Sequence, residues 1–250
     1  CTPRITAMER VFGGKVSAVD LPAPARRELA DTLICALLGQ PFWNPSEDAL
    51  FHADLHAGNL LRADDGRLAI IDWSLAASLT KTQREALLAI AVGGLTLDAP
   101  AIRAALAGLC ALRADDPALA AAVEDSLDRL VFHAHLPGFD WLMELLDDVA
   151  RQTAARFAED LLLFRKTWLA LSGVLGDLVD RASPDLPLLR LGVQRFVAEW
   201  PARCLTSPDS RAFSTHLSNA ELLRLCASPW PTAIRYGLRC WTRPLPRVSQ

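Results

Sequence analysis

Hydrophobic positions beyond Leu79 recur at intervals of three and four residues, which is the spacing of one face of an α-helix. The pattern predicts helices over residues 82–95, 98–112, 116–134, 139–150 and 152–181. An earlier helix is predicted over residues 25–38, and Gly39 is expected to end it. Most of the chain is therefore expected to be helical, and these helices are interpreted as packing elements.

Strands are predicted only near the start of the chain. The apolar segments "NLL" and "RLAIIDW" flank "RADDGR", and Asp-Gly between two apolar runs is typical of a β-hairpin. We therefore expect residues 60–61 to pair with residues 68–71. Residues 4–11 alternate loosely and predict a short strand that ends in the flexible turn "FGGK". The expected fold class is mainly α with a small β-hairpin.

Composition narrows the class of protein. The chain has 250 residues, 51% of them hydrophobic, which is enough for a sizeable core. Its net charge of −3 gives no overall field that attracts nucleic acid, so no nucleic-acid partner is expected. No apolar run approaches the roughly 18 residues needed to span a bilayer. The six scattered cysteines suit reduced thiols, and a cytoplasmic protein is expected.

The polar stretch "FHADLHAGNLLRADDGRLAIIDWS", residues 51–74, contains the candidate chemistry. A zinc site would use His52 and His56, together with His133 and His135. Two histidines at i and i+4 share a metal when they lie on a helix, but Gly58 indicates a loop here, which disfavours zinc. A serine hydrolase is also disfavoured, because the chain has no G-x-S-x-G elbow.

Phosphoryl transfer uses more of these residues. It needs a carboxylate that orients the acceptor and oxygen ligands that hold Mg²⁺ against nucleotide phosphates. Asp54 and Asn59 lie on one predicted loop, and the hairpin returns the chain so that Asp72 faces the same cleft. The stretch therefore predicts a Mg²⁺-nucleotide site, whereas Asp64 and Asp65 are interpreted as turn residues.

The order and spacing of these residues resemble a known family. "HADLHAGN" followed by "IIDWS" resembles the H-x-D-x-x-x-x-N catalytic loop and the D-F-G metal-binding loop of protein-kinase-like enzymes. The "HAD…H…GN" form looks most like the UbiB/AarF family of atypical kinases. "TPRITAMERVFGGKV" resembles that family's hinge strand, "TKTQREALLAIAVGGLTLDAPAIRAAL" its helices after the loop, and "FRKTWLALSGVLGDL" its later Arg-Lys helix. The resemblance covers residues 2–180.

The resemblance implies a protein-kinase-like fold, of which this chain holds the large C-terminal lobe, and an atypical kinase or ATPase that binds Mg²⁺ and ATP. It implies that Asp54 orients or deprotonates the acceptor and that His52 braces the loop. Asn59 and Asp72 would bind Mg²⁺.

The same resemblance assigns the adenine contacts and a metabolic setting. Leu61 would form part of the floor under the adenine, and the backbone from Glu9 to Val11 would meet the edge of the base. The implied role is in quinone or isoprenoid-lipid metabolism, with lipids or quinone-pathway proteins as partners.

Two departures from the family pattern leave alternatives open. Asp72-Trp73-Ser74 stands where kinases have Asp-Phe-Gly, and loss of the glycine is expected to restrict the backbone. "IDWSLA" also resembles the aminoglycoside-phosphotransferase-like small-molecule kinases, which are the alternative enzyme class.

The second departure is upstream of the site. The chain has no phosphate-covering loop and no strand bearing a phosphate-pairing lysine, because Lys15 is predicted in a turn, Lys81 at a helix start and Lys166 in a late helix. The N-terminal lobe is therefore expected to be absent from this chain, which begins with Cys1. A truncated or pseudokinase lobe that acts as a non-catalytic binding module is a third hypothesis.

The last segment is basic and interrupted by prolines. We expect three regions, namely a hinge strand and linker (1–20), a kinase-like C-lobe (21–200) and a helical tail (201–250). Arg235, Arg239 and Arg243 are four residues apart beside an apolar face, a pattern that suits peripheral contact with an anionic membrane. The alternative is that this helix covers the domain's own core.

Overall fold

Helices form most of the structure, a computed structural model that describes residues 9–18, 20–133, 136–180 and 182–242. The helices of this part are α1 (Ala23–Ile34), α2 (Gln40–Phe42), α3 (Lys81–Leu95), α4 (Ala99–Leu109), α5 (Pro117–Phe132), α6 (Phe139–Gln152), α7 (Glu159–Leu178), α8 (Asp185–Arg203), α9 (Asn219–Ala227) and α10 (Pro229–Thr242). The strands are β1 (Gly13–Lys15), β2 (Asp48–His52), β3 (Leu60–Ala63), β4 (Leu68–Ile70) and β5 (Ala76–Thr80). The mainly helical fold class is confirmed.

The predicted hairpin is present. β3 and β4 pair antiparallel with Leu60 opposite Ile70, and Gly66 adopts a φ of 88° in the connecting turn. β1 pairs with the other edge of β3, which gives a three-stranded sheet in the order β1-β3-β4.

The first strand does not lie where the sequence predicted it. Residues 9–12 are not a strand, residues 4–8 lie outside the described residues, and β1 begins at Gly13, inside the expected turn. Pairing with β3 explains this, because a Cβ added at Gly13 would lie 2.1 Å from the Arg62 carbonyl oxygen. Gly13 permits that close approach, and its φ of 153° is a conformation that other residues rarely adopt.

A second sheet, which the sequence did not predict, joins β2 to β5. His52 lies opposite Ala76 and Asp48 opposite Thr80 in this antiparallel pair. The pairing spans more than twenty residues, so local alternation in either segment could not reveal it. It is the reason that the chain after His52 and the chain before Ala76 lie side by side.

Two predicted helix boundaries are wrong. Gly39 does not end the first helix, which continues through a π-helical turn (Cys35–Gly39) into α2, because Gly39 is buried and packs closely against Leu191 of α8. The long helix predicted from residue 152 begins only at Glu159. Thr153 ends α6 instead, since its hydroxyl donates to the Val149 carbonyl and accepts from the Ala155 amide.

Helix α7 packs against the sheet that carries the site. Phe164 is fully buried and meets the ring of Phe51 edge-on, with 5.3 Å between the ring centroids. Thr167, also fully buried, donates its hydroxyl to the His52 carbonyl at 2.8 Å. Each buried phenylalanine contributes about 2–3 kcal/mol of hydrophobic stabilisation, so α7 is firmly attached to β2.

The C-terminal segment packs on the same domain. Helix α8 runs through residue 200 to Arg203, whose buried guanidinium donates to the Leu217 carbonyl and to the Asn219 side chain. His216 is buried, its Nε2 lies 2.7 Å from the Phe42 carbonyl oxygen, and its ring stacks on Trp43.

This buried histidine predicts an acid-sensitive fold. Burial lowers the pKa of His216 to about 4, whereas an unfolded histidine titrates near 6.5. Between these values the unfolded chain binds more protons, so the free energy of unfolding should fall by about 3 kcal/mol as the pH drops from 6.5 to 4. Urea denaturation over this pH range should show a smaller fall in His216→Asn, an exchange chosen because asparagine tolerates the residue's φ of 56°. Parallel falls in both proteins would contradict the assignment.

The basic face of α10 is turned toward the domain. Arg235 pairs with Asp98 at 2.7 Å and donates to the Thr96 carbonyl, and Arg239 pairs with Asp128 at 2.7 Å. The two arginines therefore attach α10 to the domain surface, whereas the large apolar side chains of α10 remain exposed. Arg243 lies outside the described residues.

Membrane contact by this tail stays a prediction. In the described part of the chain, no helix has both the length and the apolar character required to cross a membrane.

Candidate functional site

The site is formed by two loops that the β2–β5 pair holds together. One loop, residues 53–59, follows β2 and ends in a 3₁₀ turn (Ala57–Asn59), and the other, residues 71–75, precedes β5. The Ala53 amide donates to the Leu75 carbonyl at 3.1 Å, which extends the β2–β5 ladder into both loops. The predicted catalytic and metal-binding loops are therefore neighbours.

Asn59 fixes the shape of the first loop. Its side-chain nitrogen donates to the Asp54 carbonyl at 3.2 Å, and its own carbonyl accepts from the Ile71 amide at 3.0 Å. The residue is only 5% exposed. Because the amide nitrogen is used within the loop, the side-chain oxygen is the group left to act as a ligand.

His52 connects the two loops. It is buried, and its Nε2 lies 3.1 Å from the Ile71 carbonyl oxygen, which can only accept, so Nε2 carries the proton. The imidazole meets the Trp73 ring edge-on with 5.0 Å between the centroids. The contacts lie on both sides of Asp72, which is where the predicted bracing role requires them.

Asp72 adopts a conformation that is rare outside glycine. Its φ is 58°, a left-handed value that aspartate tolerates better than most residues. Hydrogen bonds from the Ser74 hydroxyl and backbone hold the pKa of the Asp72 carboxyl below its ordinary value, and the nearby imidazoles of His52 and His56 lower it further. The carboxylate is therefore ionised at neutral pH.

Ser74 does not need the conformational freedom of glycine. Within the described residues, non-glycine positions with positive φ are Asp72, Leu97 and His216, and Ser74 is not among them. The unusual conformation in this loop falls on Asp72 itself.

Lys166 joins the site from a distant part of the chain. Its ammonium lies 3.1 Å from an Asp54 carboxylate oxygen, and both side chains are about half exposed. Sequence reasoning placed Lys166 in a late helix and gave it no role. The contact spans 112 residues, so no local pattern could reveal it.

The residues predicted to contact the adenine lie on or near the β1–β3 pair. Leu61 lies opposite Lys15 in the β1–β3 pair, whereas Glu9 pairs with Arg67 beside the hairpin turn. Val11 precedes β1, and the adenine contacts stay predictions. Lys15 is on a strand and not in a turn, which corrects the sequence-based placement.

The other polar residues of the stretch have local roles. Nδ1 of His56 accepts from the Gly58 amide at 3.1 Å, and Asp65 accepts from the Arg67 amide and its side chain within the hairpin turn. His133 follows the last turn of α5, and His135 lies outside the described residues.

The donor set suits Mg²⁺ better than zinc. Among the described residues, no group of three or more His, Cys, Asp or Glu side chains is placed to hold a metal. Asn59 and Asp72 instead offer one amide oxygen and one carboxylate. Mg²⁺ is commonly bound by one or two protein oxygens together with water and substrate phosphates, so these residues fit a Mg²⁺-nucleotide complex.

Part of the chain is similar to a known family of kinase-like proteins. Residues 1–106, which contain both loops, match the family model of the ABC1 atypical kinase-like domain. The match supports an atypical kinase-like protein with a kinase-like fold.

Similarity to curated proteins is confined to a short part of the chain. Over 76 residues the chain is 38% identical to uncharacterized proteins of two Mycobacterium tuberculosis strains, CDC 1551 / Oshkosh and H37Rv. The aligned part makes up 30% of this chain and about 15% of the length of these relatives. No solved structure matches the chain at a significant level.

Proposed function

We propose that this chain is the nucleotide-binding lobe of an atypical kinase or ATPase, similar to the UbiB/AarF proteins. The observation that carries the proposal is the joining of the two loops. The Asn59 side chain binds the Asp54 carbonyl, and His52 binds the Ile71 carbonyl next to Asp72. These bonds connect the loop that carries Asp54 and Asn59 to the loop that carries Asp72, and Lys166 contacts Asp54 from helix α7.

Each polar residue has a separate task in this proposal. Bound Mg²⁺-ATP would supply the phosphoryl group and neutralise charge on its phosphates. The Asn59 side-chain oxygen and the ionised Asp72 carboxylate hold the cation. Asp54 orients an acceptor hydroxyl or water molecule and takes its proton. His52 acts on the loops and does not contact the nucleotide.

The acceptor and the cellular role are finer proposals. A link to quinone or isoprenoid-lipid metabolism, with lipids or quinone-pathway proteins as partners, rests on the resemblance of "HADLHAGN" and its flanking segments to the UbiB/AarF family. The match of residues 1–106 supports the broader class in which that family lies.

Calorimetric titration of ATP into the full chain tests the proposal. In Mg²⁺ buffer we expect saturable binding at a ratio of one nucleotide per chain, and with a chelator in place of Mg²⁺ we expect binding to weaken at least about tenfold, because the protein contacts the phosphates through the cation. A folded chain that gives no binding heat in either buffer would overturn the proposal. Circular dichroism of the same sample establishes that the chain is folded.

A further inference from the structure

Lys166 brings a positive charge to the candidate site. The chain has three lysines, at positions 15, 81 and 166. Lys15 lies on β1 and Lys81 begins α3 at the far end of β5 from His52. The Lys166 ammonium, by contrast, lies 3.1 Å from an Asp54 carboxylate oxygen.

The position of Lys166 is set by its neighbours on α7. Phe164 packs on Phe51, and the buried Thr167 hydroxyl donates to the His52 carbonyl at 2.8 Å. These residues flank Lys166 and bind β2 immediately before Asp54. The backbone of Lys166 is therefore fixed relative to the loop, although its side chain is half exposed.

The ammonium has donors to spare. A lysine carries three N–H donors, and Asp54 accepts one of them. Since the Lys166 side chain is 55% exposed, its remaining donors are open to solvent or ligand. A flexible ammonium of this kind suits phosphate oxygens, which it binds as a point charge.

Proximity to Asp54 indicates which phosphate it would reach. In the proposed reaction Asp54 orients the acceptor in line with the phosphoryl group that is transferred. A cation in contact with Asp54 is therefore next to the terminal phosphate and not the inner ones. A positive charge at that place would stabilise the phosphoryl group during transfer, because this group carries several anionic oxygens.

We propose that Lys166 binds the terminal phosphate of the nucleotide, and that it holds the Asp54 side chain in position when the site is empty. This inference rests on the proposed nucleotide site. It assigns to helix α7 a cation for the triphosphate that the sequence patterns around the two loops do not supply.

The test compares the affinities of Mg²⁺-ATP and Mg²⁺-ADP by calorimetry in the full chain, in Lys166→Met and in Lys166→Arg. We expect the parent chain to prefer Mg²⁺-ATP. Lys166→Met should weaken Mg²⁺-ATP about tenfold and Mg²⁺-ADP less than about twofold, since ADP lacks the terminal phosphate. Lys166→Arg should restore most of the preference, because it keeps the charge.

Lys81→Met is the matched control, since it removes the same charge at the far end of β5. Two results would overturn the inference and leave the nucleotide site in place. One is an equal weakening of Mg²⁺-ATP binding in Lys81→Met. The other is an unchanged preference for ATP in Lys166→Met while the parent chain binds Mg²⁺-ATP. Failure of the parent chain to bind either nucleotide would overturn the proposed function and this inference with it. Melting temperatures within a few degrees of the parent would show that each variant is folded.

Discussion

Asp72→Asn is expected to abolish the Mg²⁺ dependence of ATP binding. The carboxylate is held in its ionised form by hydrogen bonds from Ser74, so the exchange removes a full negative charge from the proposed cation site. Mg²⁺ binds hard oxygen ligands and prefers charged ones, and Asn59 would be left as a neutral ligand. Calorimetry in Mg²⁺ buffer should show Kd for ATP rising at least about tenfold, to its value in chelator.

Two further exchanges make this result specific. Asp64→Asn is the matched control, because Asp64 lies exposed in the β3–β4 turn. This variant should bind Mg²⁺-ATP as the parent does. Asp54→Asn should also bind Mg²⁺-ATP within a few-fold of the parent, since Asp54 is proposed to act on the acceptor. Retention of Mg²⁺ dependence in Asp72→Asn would remove Asp72 from the metal site.

Arg84→Met is expected to cause the largest loss of stability. Arg84 is fully buried, and its guanidinium donates to the carbonyls of Asn44, Ser46 and Glu47 and to that of Thr80. Burial lowers the pKa of this guanidinium, but arginine remains protonated in proteins. Its removal would take a charged donor from several part-buried carbonyls at once.

The expected loss is about 3–5 kcal/mol of the free energy of unfolding, because a hydrogen bond from a charged group is worth about 1.5–3 kcal/mol and several are lost together. In a chain of this size that corresponds to a fall in melting temperature of about 10 °C. Arg113→Met is the control, because Arg113 is largely exposed and pairs with the exposed Asp115. Its effect should stay below about 1 kcal/mol. Urea denaturation of Arg84→Met measures this loss. A fall of less than about 1 kcal/mol in the free energy of unfolding would contradict the role assigned to the Arg84 hydrogen bonds.

Sequence patterns predicted the features that depend on neighbouring residues. The hairpin over residues 60–71 follows from Asp-Gly between two apolar runs, and the helical stripes located α3 to α6 to within a few residues. The relation of Asn59 to Asp54 is also local, because the two residues are five positions apart in one loop. Local reasoning succeeds here since each interaction closes within one turn or loop.

Features that depend on distant partners could not be predicted. Gly13 becomes part of a strand only because β3 offers a partner, and Gly39 stays helical because α8 packs on it. The contact between Lys166 and Asp54 requires the packing of α7 on β2. The tail shows the same limit, since the spacing of Arg235 and Arg239 identified an amphipathic helix but not the acidic residues that face it.

The most direct test of the site is to locate the bound cation within the protein. Mn²⁺ can replace Mg²⁺ in the nucleotide complex, and its paramagnetism broadens the NMR signals of nearby amides. With Mn²⁺-ATP bound to the full chain, the account predicts the strongest broadening at the amides of Asn59 and Asp72, with weaker broadening at Lys166 and none at α10. Broadening centred on any other part of the chain, while these two amides stay sharp, would show that the nucleotide binds elsewhere and would contradict the account.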